Sequence, residues 1–232
     1  MKILYGGAGL VFLLSITGCS VDTGPVETSS QHIDAGAAES VRAEIHMSAG
    51  ELHIEGGAPK LLNATYRYSE RIGAPIVRYD VTGAHGELVV ESPKSSQSGG
   101  KTVNTWDLQM SSDVALDMTV ALGAGESTLD MSQLQVRSVD VNMGAGEMTL
   151  NMAGKYKRDV TVQVHGGVGE ARIRLPKDMG AEVKATGGIG SINTTGLTKR
   201  DGKYYNDAYT EDKPAVRVEV QGGIGNITLS VE

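Results

Sequence analysis

One short device recurs seven times along the chain: a glycine turn followed by a strand with apolar residues at alternate positions. Its clearest copy is Met143-Gly144-Ala145-Gly146-Glu147-Met148, and the others centre on Gly50, Gly86, Gly125, Gly169, Gly190 and Gly225. Two and four residues after the turn glycine stand pairs such as Leu52 and Ile54, Leu88 and Val90, Met148 and Leu150, and Ile227 and Leu229. Five and seven residues before it stand Val141 and Val139, Val164 and Val162, and Val220 and Val218. The residues between are mostly polar, among them Asp140, Asn142, Thr149 and Arg172. This is a period of two with one buried face. Beyond the leader, no stretch has the spacing of an amphipathic helix.

The inward phase is odd before the turn glycine and even after it. A straight strand keeps one phase. The glycines must therefore break the pleat and swing the chain round a corner, which a residue without Cβ does at little steric cost. A phosphate cradle is the functional reading of Gly-x-Gly. It requires a following helix or an accompanying Lys-Ser/Thr, and neither is present.

Successive turn glycines are 36, 39, 21, 23, 21 and 35 residues apart. The three short intervals fit one rung of a solenoid, two short strands with two turns. The long ones are rungs with insertions, or pairs of weaker rungs. The expected fold is all-β: a β-solenoid whose stacked rungs bury each other's apolar faces and pair their backbones in parallel at ~4.8 Å. The alternative is an antiparallel β-sandwich built from hairpins. Equivalent residues of successive repeats stack in the first case and not in the second.

Residues 1–18 read as a targeting leader. Lys2 is the positive n-region, and Ile3 to Ser15 is mostly apolar but shorter than the ~20 residues that span a bilayer. Ile16-Thr17-Gly18-Cys19 resembles a bacterial lipobox, which implies a lipidated Cys19 as the new N-terminus. Cys19 is the only cysteine, so no internal disulfide is available. Losing residues 1–18 removes only Lys2 from 21 basic residues, so the net charge falls from −7 to −8. That balance argues against nucleic acid and against adhesion to anionic lipid, so the membrane is reached through acyl chains. Ser20 is not the Asp associated with inner-membrane retention. The expected address is the extracytoplasmic side of a bacterial membrane, the outer one in a host with two. Residues 19–38 read as a flexible tether with a reach of ~25 Å. Residues 39–92 then form an N-terminal β-part, 93–104 a polar loop, and 105–232 a C-terminal β-part.

Glu39 to Ser92 resembles the N-terminal domain of the bacterial toast-rack family. The resemblance rests on Met47-Ser48-Ala49-Gly50-Glu51-Leu52, Gly57-Ala58-Pro59-Lys60-Leu61-Leu62, Ala64-Thr65-Tyr66-Arg67-Tyr68 and Gly86-Glu87-Leu88-Val89-Val90. The C-terminal part is similar to the β-domain of LiaF-like proteins of the cell-wall-active antibiotic response. It shares Gly166-Gly167-Val168-Gly169-Glu170, Leu175-Pro176-Lys177-Asp178-Met179-Gly180, Gly187-Gly188-Ile189-Gly190 and Gly222-Gly223-Ile224-Gly225. These likenesses imply a β-solenoid in the envelope without enzyme activity. LiaF-like proteins modulate a membrane stress-sensing kinase; this chain has a lipobox where they have transmembrane helices.

Five turns are followed by glutamate: Glu51, Glu87, Glu126, Glu147 and Glu170. On stacked rungs Glu126, Glu147 and Glu170 form a carboxylate row at ~5 Å steps, a candidate edge for a cation such as Ca²⁺. The plain alternative is a solvated edge that opposes aggregation. His46, His53 and His165 lack the three or four converging ligands of a metal centre, so no metal or cofactor is expected. Arg172, Arg174 and Lys184 suggest a modest basic strip. The insertion from Gly196 to Pro214 carries Tyr204, Tyr205 and Tyr209, either a binding loop for a glycan or protein partner or a flap over the stack. Met118, Met131, Met143, Met148 and Met152 read as core.

No catalytic constellation emerges. The first expectation is a non-enzymatic, lipid-anchored envelope scaffold or adhesin, connected by resemblance to cell-envelope stress. A polysaccharide-active enzyme on a parallel β-helix is the second. It needs two carboxyls at a set separation in a cleft, and the single Trp106 offers sugar little aromatic platform. A modulator of a membrane sensor kinase is the third.

Overall fold

The structure, a computed structural model, describes residues 25–94 and 102–232. Cys19, the leader and the start of the tether lie outside the described residues. The strands are β1 (Val26–Ile33), β2 (Ser40–Ala58), β3 (Leu62–Ser69), β4 (Ile76–Thr82), β5 (His85–Glu91), β6 (Asn104–Ser111) and β7 (Ala115–Asp130). They continue with β8 (Gln135–Asn151), β9 (Val160–Leu175), β10 (Gly180–Thr195), β11 (Thr198–Arg200), β12 (Lys203–Tyr205) and β13 (Ala215–Val231). No helix occurs among the described residues.

Six strands are long, and each is bent once at a glycine. They lie side by side and parallel in the order β2, β7, β8, β9, β13, β10. Their corner glycines fall in register: Gly50, Gly125, Gly146, Gly169, Gly225 and Gly190. Equivalent residues stack, so the fold is the solenoid-like one and not the antiparallel sandwich. The phase switch is also present. On β8, Val139 and Val141 are buried before the corner, and Met148 and Leu150 after it. Both arms of every rung feed one core.

The corners need glycine twice over. Their φ values run from +128° to +147°, a region that L side chains rarely adopt. Each also lies against the backbone of the neighbouring rung. A Cβ on Gly146 would sit 1.8 Å from the Gly125 carbonyl oxygen, and one on Gly225 1.6 Å from that of Gly169. Two residues earlier, a second glycine row repeats the contact: a Cβ on Gly144 would meet the Gly123 oxygen at 2.3 Å.

Three expectations are corrected. Gly86 is not a corner. It lies within β5, in the hairpin that β4 makes with β5, and pairs with Val41. Val81, five residues before Gly86 and so at a position that faces inward in the true corners, is 39% exposed, while Leu88 and Val90 stack on Ala43 and Ile45. Thus β5 lies on the first arm of β2 and β6 on its second, two short strands in place of one bent one. Residues 26–33, read as tether, form β1, antiparallel on β3. This outermost strand is mostly polar and exposed, so it carries no apolar alternation to betray it. Last, rungs do not stack strictly in chain order, because β13 inserts between β9 and β10. Its second arm offers Ile227 and Leu229 to the core where β10 offers Ile192 and Thr194, and the more apolar strand takes the inner slot.

At the β2 end, Trp106 is fully buried, with Tyr66 edge-on at 5.7 Å and 85°. Trp106 Nε1 donates to Asn104 Oδ1 at 2.9 Å, and Asn104 Nδ2 donates to the Ala49 carbonyl at 2.6 Å, which ties this cluster to the first corner. The Tyr66 hydroxyl is buried without a partner among the described residues, and burial pushes its pKa well up.

Three outcomes follow from this packing. Gly146→Ala loses ~3 kcal/mol or more in chemical denaturation, through the overlap and the forced φ together. Gly166→Ala, where a Cβ meets nothing within 4 Å, changes stability by less than ~0.5 kcal/mol. Tyr66→Phe is neutral or stabilising by up to ~1 kcal/mol, because it removes a desolvated hydroxyl that bonds to nothing described. A loss of more than that in the same measurement shows that the hydroxyl has a partner after all.

Candidate functional site

The residue after each corner builds one continuous row across the stack. Glu51, Glu126, Glu147 and Glu170 are in register, followed by Asn226 and Ser191. The three carboxylates singled out above, Glu126, Glu147 and Glu170, therefore occupy consecutive rungs. Glu87 does not join them, since it pairs with Arg42 on the first arm of β2. A cation is already built in: the Arg172 guanidinium donates to Glu147 Oε2 at 3.2 Å and to Glu170 Oε2 at 2.7 Å. No group of three or more His, Cys, Asp or Glu is placed to hold a metal among the described residues. Exposed pairs of this kind are screened and contribute little each.

The expected basic strip does not form. Arg172 and Arg174 lie on the second arm of β9 and Lys184 on the first arm of β10. Arg174 pairs with Glu232 at 3.5 Å and Lys184 with Glu219 at 2.9 Å. The histidines do not converge either. His46 faces Glu44 at 3.4 Å, and His165 pairs with Asn142 and Gln221 along its row. His46, Asn142 and His165 do share a broad open groove beside the corners, with Ser48, Glu91 and Ser92. Arg78 binds Glu91 at 2.7 Å and holds its carboxyl below the ordinary range.

The tyrosine insertion is a flap. Its hairpin of β11 and β12 pairs antiparallel with β10 at Glu182 and Val183. Tyr204 packs against the core, and Tyr205 and Tyr209 lie ring to ring at 4.8 Å. Lys199 sits over Tyr204 at 5.2 Å and Arg200 over Tyr205 at 4.8 Å, cation–π contacts within the insertion itself. Lys203 Nζ reaches Glu182 Oε1 at 2.5 Å and the Tyr209 hydroxyl donates to Glu182 Oε2 at 3.0 Å. Burial works to raise the Glu182 pKa, but these two donors and the Lys203 charge hold it below the ordinary carboxylate value. The latch is Asn206, 3% exposed. Its side chain accepts from the Ala181 amide at 2.8 Å and donates to the carbonyls of Pro176 and Met179, both at 2.8 Å. Sequence reasoning passed over Asn206, because an asparagine in a polar insertion has no local signature of burial.

The corners are of two kinds, a distinction that lay in the text of the motifs. The first three rungs read Met47-Ser48-Ala49-Gly50, Leu122-Gly123-Ala124-Gly125 and Met143-Gly144-Ala145-Gly146. The last three read Gly-Gly-Val-Gly or Gly-Gly-Ile-Gly, from Gly166, Gly187 and Gly222. Where Met47, Leu122 and Met143 fill the corner, Gly166, Gly222 and Gly187 leave a shallow apolar hollow floored by Met148, Val164, Val220 and Ile227. Over it stand Val168 and Ile224, exposed by 54% and 53%, and on the outermost rung Ile189 is exposed by 72%.

Residues 22–174 match the family described as the N-terminal domain of toast_rack. The chain is also similar to the crystal structure of a candidate cell adhesion protein from Clostridium sporogenes. Identity is 27% and the TM-score 0.83, over 90% of this chain and all of that one. A candidate adhesin from Bacteroides fragilis shares 12% identity over 88% of this chain and 97% of its own, with a TM-score of 0.36, too loose a likeness to build on. No curated protein matches the sequence.

Two measurements probe the flap. Asn206→Ala leaves three backbone groups without their partner and costs ~2–3 kcal/mol, seen first as faster amide exchange over 203–209. The second is acidification. The depressed Glu182 carboxyl binds protons more readily once the flap is open, so docking is strongest above the ordinary Glu value of 4.5 and weakens as pH falls below it. In Glu182→Gln, flap exchange loses that acid-dependent part of its pH profile.

Proposed function

Since the chain belongs to the toast-rack family, we propose that it is a non-enzymatic, adhesin-like interaction module of the cell envelope, anchored on the extracytoplasmic side by lipid on Cys19. The observation that carries this reading is the whole-length likeness to the C. sporogenes cell adhesion structure. The geometry supports it. In-register rungs repeat the same outward side chains at ~4.8 Å along a rigid wall, a surface suited to polymers and extended chains. The groove beside the corners, with His46, Asn142 and His165 on one row and Ser48 and Ser92 near them, offers donors and acceptors to a glycan or polypeptide. A hydrolytic reading has less support, since the apolar hollow holds one carboxylate, Glu170, and Arg172 occupies it.

The test has two arms. Cys19→Ala moves the chain from the membrane fraction to the soluble one, and continued membrane retention sinks the anchor. Purified chain on beads binds peptidoglycan or matrix polymers saturably without releasing fragments. Asn142→Ala with His165→Ala weakens that binding about tenfold, or ~1.4 kcal/mol, at unchanged thermal stability. Reproducible release of polymer fragments would instead establish an enzyme.

A further inference from the structure

The two ends of the stack are finished differently. At the β2 end both arms are covered by antiparallel strands, β4 on β5 and β3 with β1 on β6. The outermost strands there carry charge: Glu27 on β1, Arg78 and Asp80 on β4. Charge on an edge is a common defence against pairing with another chain. At the other end the flap reaches β10 only at Glu182 and Val183. From Thr186 to Thr195 that strand has β13 on one side and no described strand on the other. No residue from Ala185 to Thr198 is charged.

Toward this edge the surface changes row by row. After the corner, four glutamates give way to Asn226 and Ser191. Before the corner, Ala49, Ala124 and Ala145 give way to Val168, Ile224 and Ile189, all three more than half exposed. The last two rungs are thus neutral where the earlier four are acidic, and the last three are apolar where the first three carry only a methyl group.

We propose that this edge is a self-association surface, in which residues 191–195 of β10, the arm beyond the Gly190 corner, pair antiparallel with the same residues of a second copy about a two-fold axis at Asn193. Charge selects the occupant. Two acidic chains repel wherever their carboxylates meet, and this edge is a face from which they are absent. The side chains suit a symmetric partner as well. A two-fold axis sets each residue opposite one of the same short set, and Ser191, Asn193, Thr194 and Thr195 both donate and accept hydrogen bonds, so like can bond like. The flap limits the assembly. It occupies part of the first arm of the same edge, so a further copy has no complete rung to stack on, and association closes at two. The contact is a short ladder beside a small apolar ridge, which corresponds to a weak dimer in the micromolar range.

Sedimentation of the purified full chain from sub-micromolar to near-millimolar concentration tests this. The expected result is a monomer–dimer equilibrium with no larger species. Asn193→Lys and Asn193→Asp, both at an exposed position, each weaken dimerisation about tenfold or more by placing like charges across the axis. Their equimolar mixture restores it as a heterodimer. Circular dichroism melts of both variants coincide with that of the unaltered chain. A chain that stays monomeric throughout, variants that dimerise as well as the parent, or a mixture that fails to recover association would each overturn the proposal.

Discussion

The whole molecule depends on how closely one rung's backbone approaches the next at the corner. Strands in a sheet sit ~4.8 Å apart, and at a bend the carbonyl of one rung points at the Cα of the rung stacked on it. The space a Cβ needs is already filled by the neighbouring corner glycine's carbonyl oxygen in five of the six corners, and in the first by that of Asn104. The contact has a direction. Each missing Cβ points toward the β2 end, which explains the one exception in the second glycine row. Ser48 holds the position that Gly123, Gly144, Gly167, Gly223 and Gly188 hold elsewhere. Its amide donates to the Ser92 hydroxyl oxygen at 3.0 Å, where other rungs have another glycine corner beneath them. A side chain is tolerated only where the spine begins.

With the corner reserved for backbone, chemistry is pushed onto the arms and the rows beside the glycines. Register then converts a sequence repeat into a column of like groups. A column of carboxylates is unfavourable, and the structure answers from the neighbouring column. Arg172 sits two residues beyond Glu170 on the same face and spans two rungs. Arg137 plays the same part on the first arm, where Asp117 is partly buried. Burial alone would raise that carboxyl, but the hydrogen bonds from Arg137 and Ser138 and the nearby Arg137 and Arg42 charges hold it low. Cross-rung pairing of this kind stitches neighbours together, in keeping with stability built from nearest-neighbour interfaces.

The repeat, the phase switch and the glutamate row were legible because each is a local pattern that the register simply multiplies. Gly86 was misleading for the same reason. Gly86-Glu87-Leu88-Val89 has the text of a corner, but Tyr79 and Val41 lie within 3 Å of where its Cβ would be, and its glycine serves packing. Rung order was not legible, because a parallel ladder accepts any rung as a neighbour. What decided it was a comparison of burial between Leu229 and Thr194, residues 35 apart in the chain. Asn206 and β1 were hidden for a third reason, since both act through backbone partners that leave no trace in local hydropathy.

The switch in corner type is the feature that the fold alone does not require. Three rungs place Met or Leu inside the corner with Ala beside it, and three place Gly inside with Val or Ile beside it. Side-chain volume is kept and moved from the core to the surface. Burying such a side chain contributes ~1.5–3 kcal/mol, so three rungs forgo stabilisation that the other three retain. The change is confined to β9, β13 and β10; on the last two of these the glutamate row has run out, and on β10 the edge is left open. Packing gives no reason for these to coincide. An exposed apolar ridge, a neutral row and an uncovered edge at one end of a stack share a physical rationale once something lies against them.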